Sequence, residues 1–237
     1  CTGPEASAAA SSLKAGDVLL LENLRYDERE EKDDAAFAQE LASLADVYVN
    51  DAFSNAHRKH ASMVAVTEFL PSYAGLQLEQ EVTALAGVRT DTMRPLVFIV
   101  SGAKMETKVP VIRSMLGHAD HIIVGGAIAN TFLAANGHAV GSSLHEKEQM
   151  PEALSILEES KKEGHARIHL PSDVIVAEGP SATSGENVSV ASVPDTRAIF
   201  DMGTQTVDEF SDLLKSAGMV VWNGPLGYYE NPAFALA

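Results

Sequence analysis

Apolar residues along this chain fall into two patterns. Short continuous runs at 18–22, 47–49, 96–100, 121–124, 167–170, 174–177 and 219–222 predict strands, since a strand covered on both faces carries apolar side chains without alternation. Between them apolar positions recur at helical spacing. Phe37, Leu41 and Leu44 form one stripe behind Asp33 or Asp34 as an N-cap. Residues 71–88 predict a helix around Leu76, Leu78, Val82 and Leu85, and 107–116, 129–135 and 207–214 predict three more. Residues 146–163 read as a longer amphipathic helix with Leu154, Ile156 and Leu157 inward and Lys161-Lys162 near its negative end. Residues 179–187 read as a loop of small residues. Strand, helix and strand joined by short connections are the βαβ pattern of a parallel sheet. Turn chemistry at Thr90-Asp91-Thr92-Met93-Arg94-Pro95 interrupts this rhythm and predicts a domain boundary. The expected fold is α/β, with parts of two parallel sheets.

Composition narrows the partners. The 237 residues are 46% hydrophobic and carry 17 Lys plus Arg against 33 Asp plus Glu, a net charge of -16. Such a field repels phosphate backbones and anionic head groups, which argues against nucleic acid and membranes as partners. It also opposes small phosphorylated ligands, so a site for one must gather its few cations locally. The one cysteine, Cys1, allows no internal disulfide and fits a reducing compartment, with the cytoplasm the expectation. No apolar run approaches the roughly 20 residues of a membrane helix, and residues 1–12 have neither the basic region nor the apolar run of a signal peptide.

In open α/β sheets ligands bind beyond the carboxyl ends of strands. After 96–100 comes Ser101-Gly102-Ala103-Lys104-Met105-Glu106-Thr107-Lys108, whose two lysines would share one face of a helix start and hold an anion between them. Spacing alone favours a pair of solvated lysines. Gly125-Gly126 after 121–124 suits a flat base or sugar against bare backbone, or serves only helix–sheet packing. Trp222-Asn223-Gly224-Pro225 leads to Glu230 in what looks like a shaped loop, although Trp222 alone reads as core. Arg25 and Arg58, each just past a predicted strand, form a candidate clamp for a phosphorylated carboxylic acid. His57, His60, His118 and His121 lack the companions of a metal or catalytic site, and no GxGxxG or GxxxxGK[ST] motif occurs.

These segments, with Leu21-Glu22-Asn23-Leu24-Arg25, Val49-Asn50-Asp51-Ala52-Phe53, Ala56-His57-Arg58, Leu70-Pro71-Ser72-Tyr73-Ala74-Gly75 and Ala129-Asn130-Thr131-Phe132, stand in the order and approximate spacing of phosphoglycerate kinase, which the chain resembles across nearly its whole length. The resemblance implies two doubly wound, Rossmann-like parallel-sheet domains joined by a hinge helix, both incomplete: residues 1–70 binding phosphoglycerate, 71–90 the interdomain helix, and 91–237 binding the nucleotide. It implies phosphoryl transfer between 1,3-bisphosphoglycerate and ADP, with Mg²⁺ carried by the nucleotide, no metal held by protein ligands alone, and a monomer. Arg25 and Arg58 match the substrate arginines, Lys104 the lysine that stabilises the transferring phosphoryl, and Lys108 the one that holds nucleotide phosphate. Gly102, Gly125, Gly126, Gly203, Asn223, Pro225 and Glu230 match nucleotide-site positions, Glu230 at the ribose. Ser101 and Ala127 stand where the family usually has Gly, and Thr204 where it has Pro. The family's N-terminal ligand segment and C-terminal glycine-rich turn have no counterpart here, so a fragment with weak or no turnover is expected. A non-catalytic nucleotide- or partner-binding module that keeps the motifs is the alternative.

Overall fold

A computed structural model describes residues 1–90 and 92–237, so Asp91, in the predicted boundary turn, lies outside the described residues. The chain divides into two compact units, Cys1–Thr90 and Asp91–Ala237.

In the first unit α1 (Pro4–Ser11) precedes a loop and α2 (Ala35–Ala42). Asp34 is the N-cap of α2, accepting a 2.8 Å bond from the Phe37 N–H. The helix buries Phe37, Ala38 and Ala42 against Ala61, Ala65 and Val66, and Arg29 lies 4.9 Å over the Phe37 ring. Strand β1 (Tyr48–Asn50) runs parallel to β2 (Ser72–Ala74), pairing Val49 with Tyr73. The helix α3 (Leu76–Thr90) then starts on the Asp51 carboxylate, which accepts from the Gln77 and Leu78 N–H groups at 2.7 and 3.0 Å. Two readings need correction. Residues 71–75 hold β2, and the helix begins only at Leu76, because the Tyr48 N–H draws Pro71 into pairing at 2.9 Å. The run at 18–22 is not a buried strand: Val18 and Leu20 are 92% and 93% exposed. Its apolar pattern suits a strand, but among the described residues no neighbour supplies the ladder bonds that define one.

The second unit is built on β3 (Leu96–Val100), buried at every residue, and β4 (His121–Val124), β5 (Arg167–His169) and β9 (Met219–Asn223). Their order is β5-β4-β3-β9 and all neighbours are parallel. Helices α4 (Val109–Leu116), α5 (Gly126–Ala135) and α6 (Met150–Glu159) follow β3 and β4, and α7 (Thr204–Lys215) packs Phe210 on Val97, Ile99 and Ile123. The chain steps outward from β3 to β4 and β5, then returns on the other side of β3 as β9. The strand order therefore reverses between β3 and β9, where loops diverge and leave a crevice.

A second sheet departs from the all-parallel expectation. Strands β6 (Asp173–Ala177), β7 (Glu186–Ser189) and β8 (Ala198–Met202) lie in the order β7-β6-β8, antiparallel throughout. The predicted loop at 179–187 thus ends in strand β7, whose mostly polar, exposed residues carry only Val188 as an apolar signal and which exists through its ladder to β6. The predicted helix at 146–163 is only Met150–Glu159, and Leu154 is 44% exposed while Ala153 and Ile156 face inward. Among the described residues no helix is long and apolar enough to cross a membrane.

Candidate functional site

The β3–β9 reversal gathers the second unit's candidate residues. Val100 pairs with Asn223, and the Ser101 N–H donates to the Asn223 carbonyl at 2.9 Å. Beyond them the Lys108 ammonium donates to Asn223 Oδ1 at 2.6 Å. The lysines do not share a helical face as their spacing suggested. Lys108 is the N-cap residue of α4, with Pro110 in the first turn, and Lys104 lies exposed in the preceding loop. Buried Met105 sets this geometry: its N–H donates to Glu146 Oε1 at 2.9 Å, and its carbonyl accepts from the Lys108 and Val109 N–H groups. Among the described residues neither lysine has a carboxylate partner, so both charges remain available to an anion at the positive end of α4.

The strand-end loops interlock through bare backbone. Gly125 N–H donates to the Val100 carbonyl and Gly126 N–H to the Leu226 carbonyl, both at 3.0 Å. Ser101, where the family resemblance implied Gly, donates its hydroxyl to the Pro225 carbonyl. Gly126 has φ 61°, and a Cβ there would stand 2.6 Å from Ser101 Oγ and 3.0 Å from the Gly102 backbone. Gly126→Ala is expected to cost about 2 kcal/mol, from left-handed backbone strain plus crowding. Urea unfolding of the second unit measures it, and an unchanged midpoint would refute the requirement.

Below these loops lies a cavity of about 410 Å³, a size suited to one small molecule. Leu144, Val174, Ile199, Met202 and Leu226 give it apolar walls, Gly102 and Gly126 contribute backbone, and Pro225 and Glu230 stand on its lining. Asp201 also lines it. Burial pushes this carboxyl above its ordinary range, and bonds from the Leu236, Met202 and Ala237 amides only partly offset the rise. Asn130 donates to the Leu144 carbonyl at 3.1 Å.

Of the residues singled out in the sequence, Gly102, Gly126, Pro225 and Glu230 thus line one cavity, and Gly125, Lys108 and Asn223 belong to the network above it. Gly203 does not line it: it is the N-cap of α7, with its N–H on the Asp173 carbonyl at 2.9 Å. Trp222 is not core. It is 58% exposed, and its indole N–H donates to the Gly224 carbonyl at 2.7 Å, bracing the loop. The strand at 174–177 was expected, but its place at the cavity and the whole of β8 were not, although Ala198-Ile199-Phe200-Asp201-Met202 carried an apolar strand signal. His121 does have a partner, with its Nδ1 2.9 Å from His169 Nε2. His169 is held at about 4, first by burial and then by the nearby His121 and Arg167. Among the described residues no group of three or more His, Cys, Asp or Glu side chains is placed to hold a metal.

In the first unit Arg25 sits in a 3₁₀ turn, Leu24–Tyr26, capped by Asn23, and pairs with Glu31. It follows the unpaired 18–22 segment rather than a strand end. Arg58 is exposed on the loop after β1 and, among the described residues, has no side-chain partner. Among the described residues no shared hydrogen-bond or ion-pair partner joins the two guanidinium groups.

Comparison with known proteins places this architecture. The family profile described as phosphoglycerate kinase matches residues 1–237. The chain is 49% identical over 233 residues to phosphoglycerate kinase of Thermomicrobium roseum, covering 98% of this chain and 59% of that protein. It is 47% identical over 236 residues to the enzyme of Moorella thermoacetica, covering 99% and 60%. Among solved structures, phosphoglycerate kinase from Coxiella burnetii superposes with a TM-score of 0.80 at 36% identity, over 95% of this chain and 58% of that one. The enzyme from Pyrococcus horikoshii gives 0.85 at 27%, over 99% and 61%. The chain therefore spans about 59% of the length of the curated relatives it matches. With family profile, relatives and both structural neighbours in agreement over essentially every residue present, this chain belongs to the phosphoglycerate kinase family.

Proposed function

We propose that the second unit, within residues 91–237, binds ADP or ATP and that the chain serves reversible phosphoryl transfer between 1,3-bisphosphoglycerate and ADP, giving 3-phosphoglycerate and ATP. The observation that carries this reading is the Lys108–Asn223 pair at the β3–β9 reversal, directly beside an apolar cavity roofed by glycine backbone. An adenine base fits the apolar walls against Gly102, Gly125 and Gly126, Pro225 and Glu230 meet the ribose, and the phosphates extend toward Asn223 and Lys108. Lys104, exposed on its loop and without a carboxylate partner among the described residues, stabilises the transferring phosphoryl group. Gly203 acts through the packing of α7 beside the cavity.

In the first unit, residues 1–70 supply Arg25 and Arg58 as guanidinium forks for phosphoglycerate, and α3, Leu76–Thr90, serves as the interdomain helix. Direct transfer needs alignment, positive charge and exclusion of water rather than a protein nucleophile. Mg²⁺ would neutralise charge on the nucleotide phosphates. It takes most of its ligands from phosphate and water. The protein acts as a cytoplasmic monomer.

Calorimetric titration with Mg-ADP tests the nucleotide reading. Saturable one-site binding, with amide shifts in labelled protein confined to the loops after β3, β4 and β9, is the expected result. Absence of binding by the folded chain would overturn it.

A further inference from the structure

We propose that Glu30 is a positioning residue: through Ser62 it ties the loop that carries Arg25 to the loop that carries Arg58 and holds the two arginines in register. This rests on the assignment of both arginines to phosphoglycerate recognition.

Glu30 is buried, yet it carries a carboxylate and belongs to none of the motifs read from the sequence. One oxygen accepts the Ser62 hydroxyl at 2.6 Å and the other the Ser62 N–H at 3.0 Å, with His60 Nδ1 3.7 Å away. The Glu30 carbonyl accepts from the Ala61 N–H at 2.9 Å. A carboxylate is buried at a high desolvation cost, and here its partners come from a segment 32 residues further on.

Each side of this clasp leads to one arginine within a few residues, through short hydrogen-bonded turns of the backbone. From Arg25 the chain turns through Asp27 N–H on the Leu24 carbonyl and Glu30 N–H on the Asp27 carbonyl, both 3.1 Å, and Arg25 itself pairs with Glu31. On the other side His60 N–H donates to the Arg58 carbonyl at 3.1 Å, and Arg58 N–H to the Asn55 carbonyl at 2.9 Å. A second tie lies beside the first. Asp33, at φ 54°, accepts from the Ala65 N–H at 3.0 Å and stands 3.6 Å from Lys59 Nζ. A non-glycine residue held in the left-handed region marks a conformation that the surrounding contacts over-determine. Fixed separation matters because two guanidinium groups grip one small anion only when both reach it together.

The test uses this chain with nitroxide labels at Tyr26→Cys and Asn55→Cys in a Cys1→Ser background. The parent and Ser62→Thr, which keeps the hydroxyl, should give a narrow inter-loop distance distribution. Ser62→Ala and Glu30→Gln should broaden it and weaken 3-phosphoglycerate binding about fivefold or more, with Mg-ADP affinity unchanged. Ser62→Ala removes one hydrogen bond and no charge, so it keeps the test open if Glu30→Gln fails to fold. An unchanged distribution in Ser62→Ala overturns the proposal. If the parent binds no 3-phosphoglycerate while the distances respond as described, the substrate assignment of the arginines falls and the clasp itself stands.

Discussion

Asp173→Ala is expected to lower the unfolding free energy of the second unit by about 4 kcal/mol near neutral pH, because it removes four hydrogen bonds to one carboxylate, two of them from buried Thr206. Asp173 opens β6, yet its carboxylate caps α7, accepting the Thr206 N–H at 2.8 Å, the Gln205 N–H at 3.1 Å, the Thr206 hydroxyl at 2.6 Å and the Asn187 side chain at 2.7 Å. The N-cap position of α7 is Gly203, which has no side chain to do this locally. Burial by itself would raise this carboxyl, but the bonds from Thr206, Asn187 and Gln205 outweigh it and hold the group below the ordinary carboxylate range. A depressed value means that the unfolded state binds the proton more readily. The stabilisation is therefore complete above the unfolded value of about 3.9 and is lost as pH falls through the lower folded value. Urea unfolding followed from pH 7 to pH 3 should show this acid loss in the parent and a smaller one in the variant. Equal stabilities at pH 7 would refute the cap.

Removing both lysines, Lys104→Ala with Lys108→Ala, is expected to weaken Mg-ADP binding about a hundredfold, or roughly 2.7 kcal/mol, the scale of two charge-assisted phosphate contacts. Lys108 should account for the larger share. Asn223 already orients its ammonium, so little side-chain freedom remains to be lost on binding, whereas Lys104 is exposed and must be ordered by the ligand. Calorimetry on the two single variants and the double variant, each checked for folding by circular dichroism, separates these contributions. The loss should shrink at high salt, as expected for partly exposed charges. Unchanged affinity in the double variant would remove the phosphates from this end of the sheet.

Much of the candidate site was legible before any coordinates. Each strand end that matters, at Val100, Val124 and Asn223, was marked by an apolar run stopping at glycine or a polar residue, and the Asp33-Asp34 pair announced the start of α2, with Asp34 the cap in the structure. Such signals are local: burial on both faces demands consecutive apolar residues, and a cap acts within one turn. Where the local pattern and the three-dimensional partners disagreed, the partners prevailed. Residues 18–22 have a strand's composition without a neighbour, and Glu186–Ser189 has a neighbour without the composition.

The chain's own sequence thus determined its family and its α/β alternation, and it named candidates to meet a phosphate. Only the tertiary structure decided that Lys104 and Lys108 leave the helical face their spacing suggested, that Asn223 holds Lys108 from 115 positions away, that β8 completes the cavity, and that Glu30 fastens two arginine loops. The physical reason is that backbone ladders and buried carboxylates draw their partners from chain segments far apart in sequence, and those partners exist only once the long-range packing is in place.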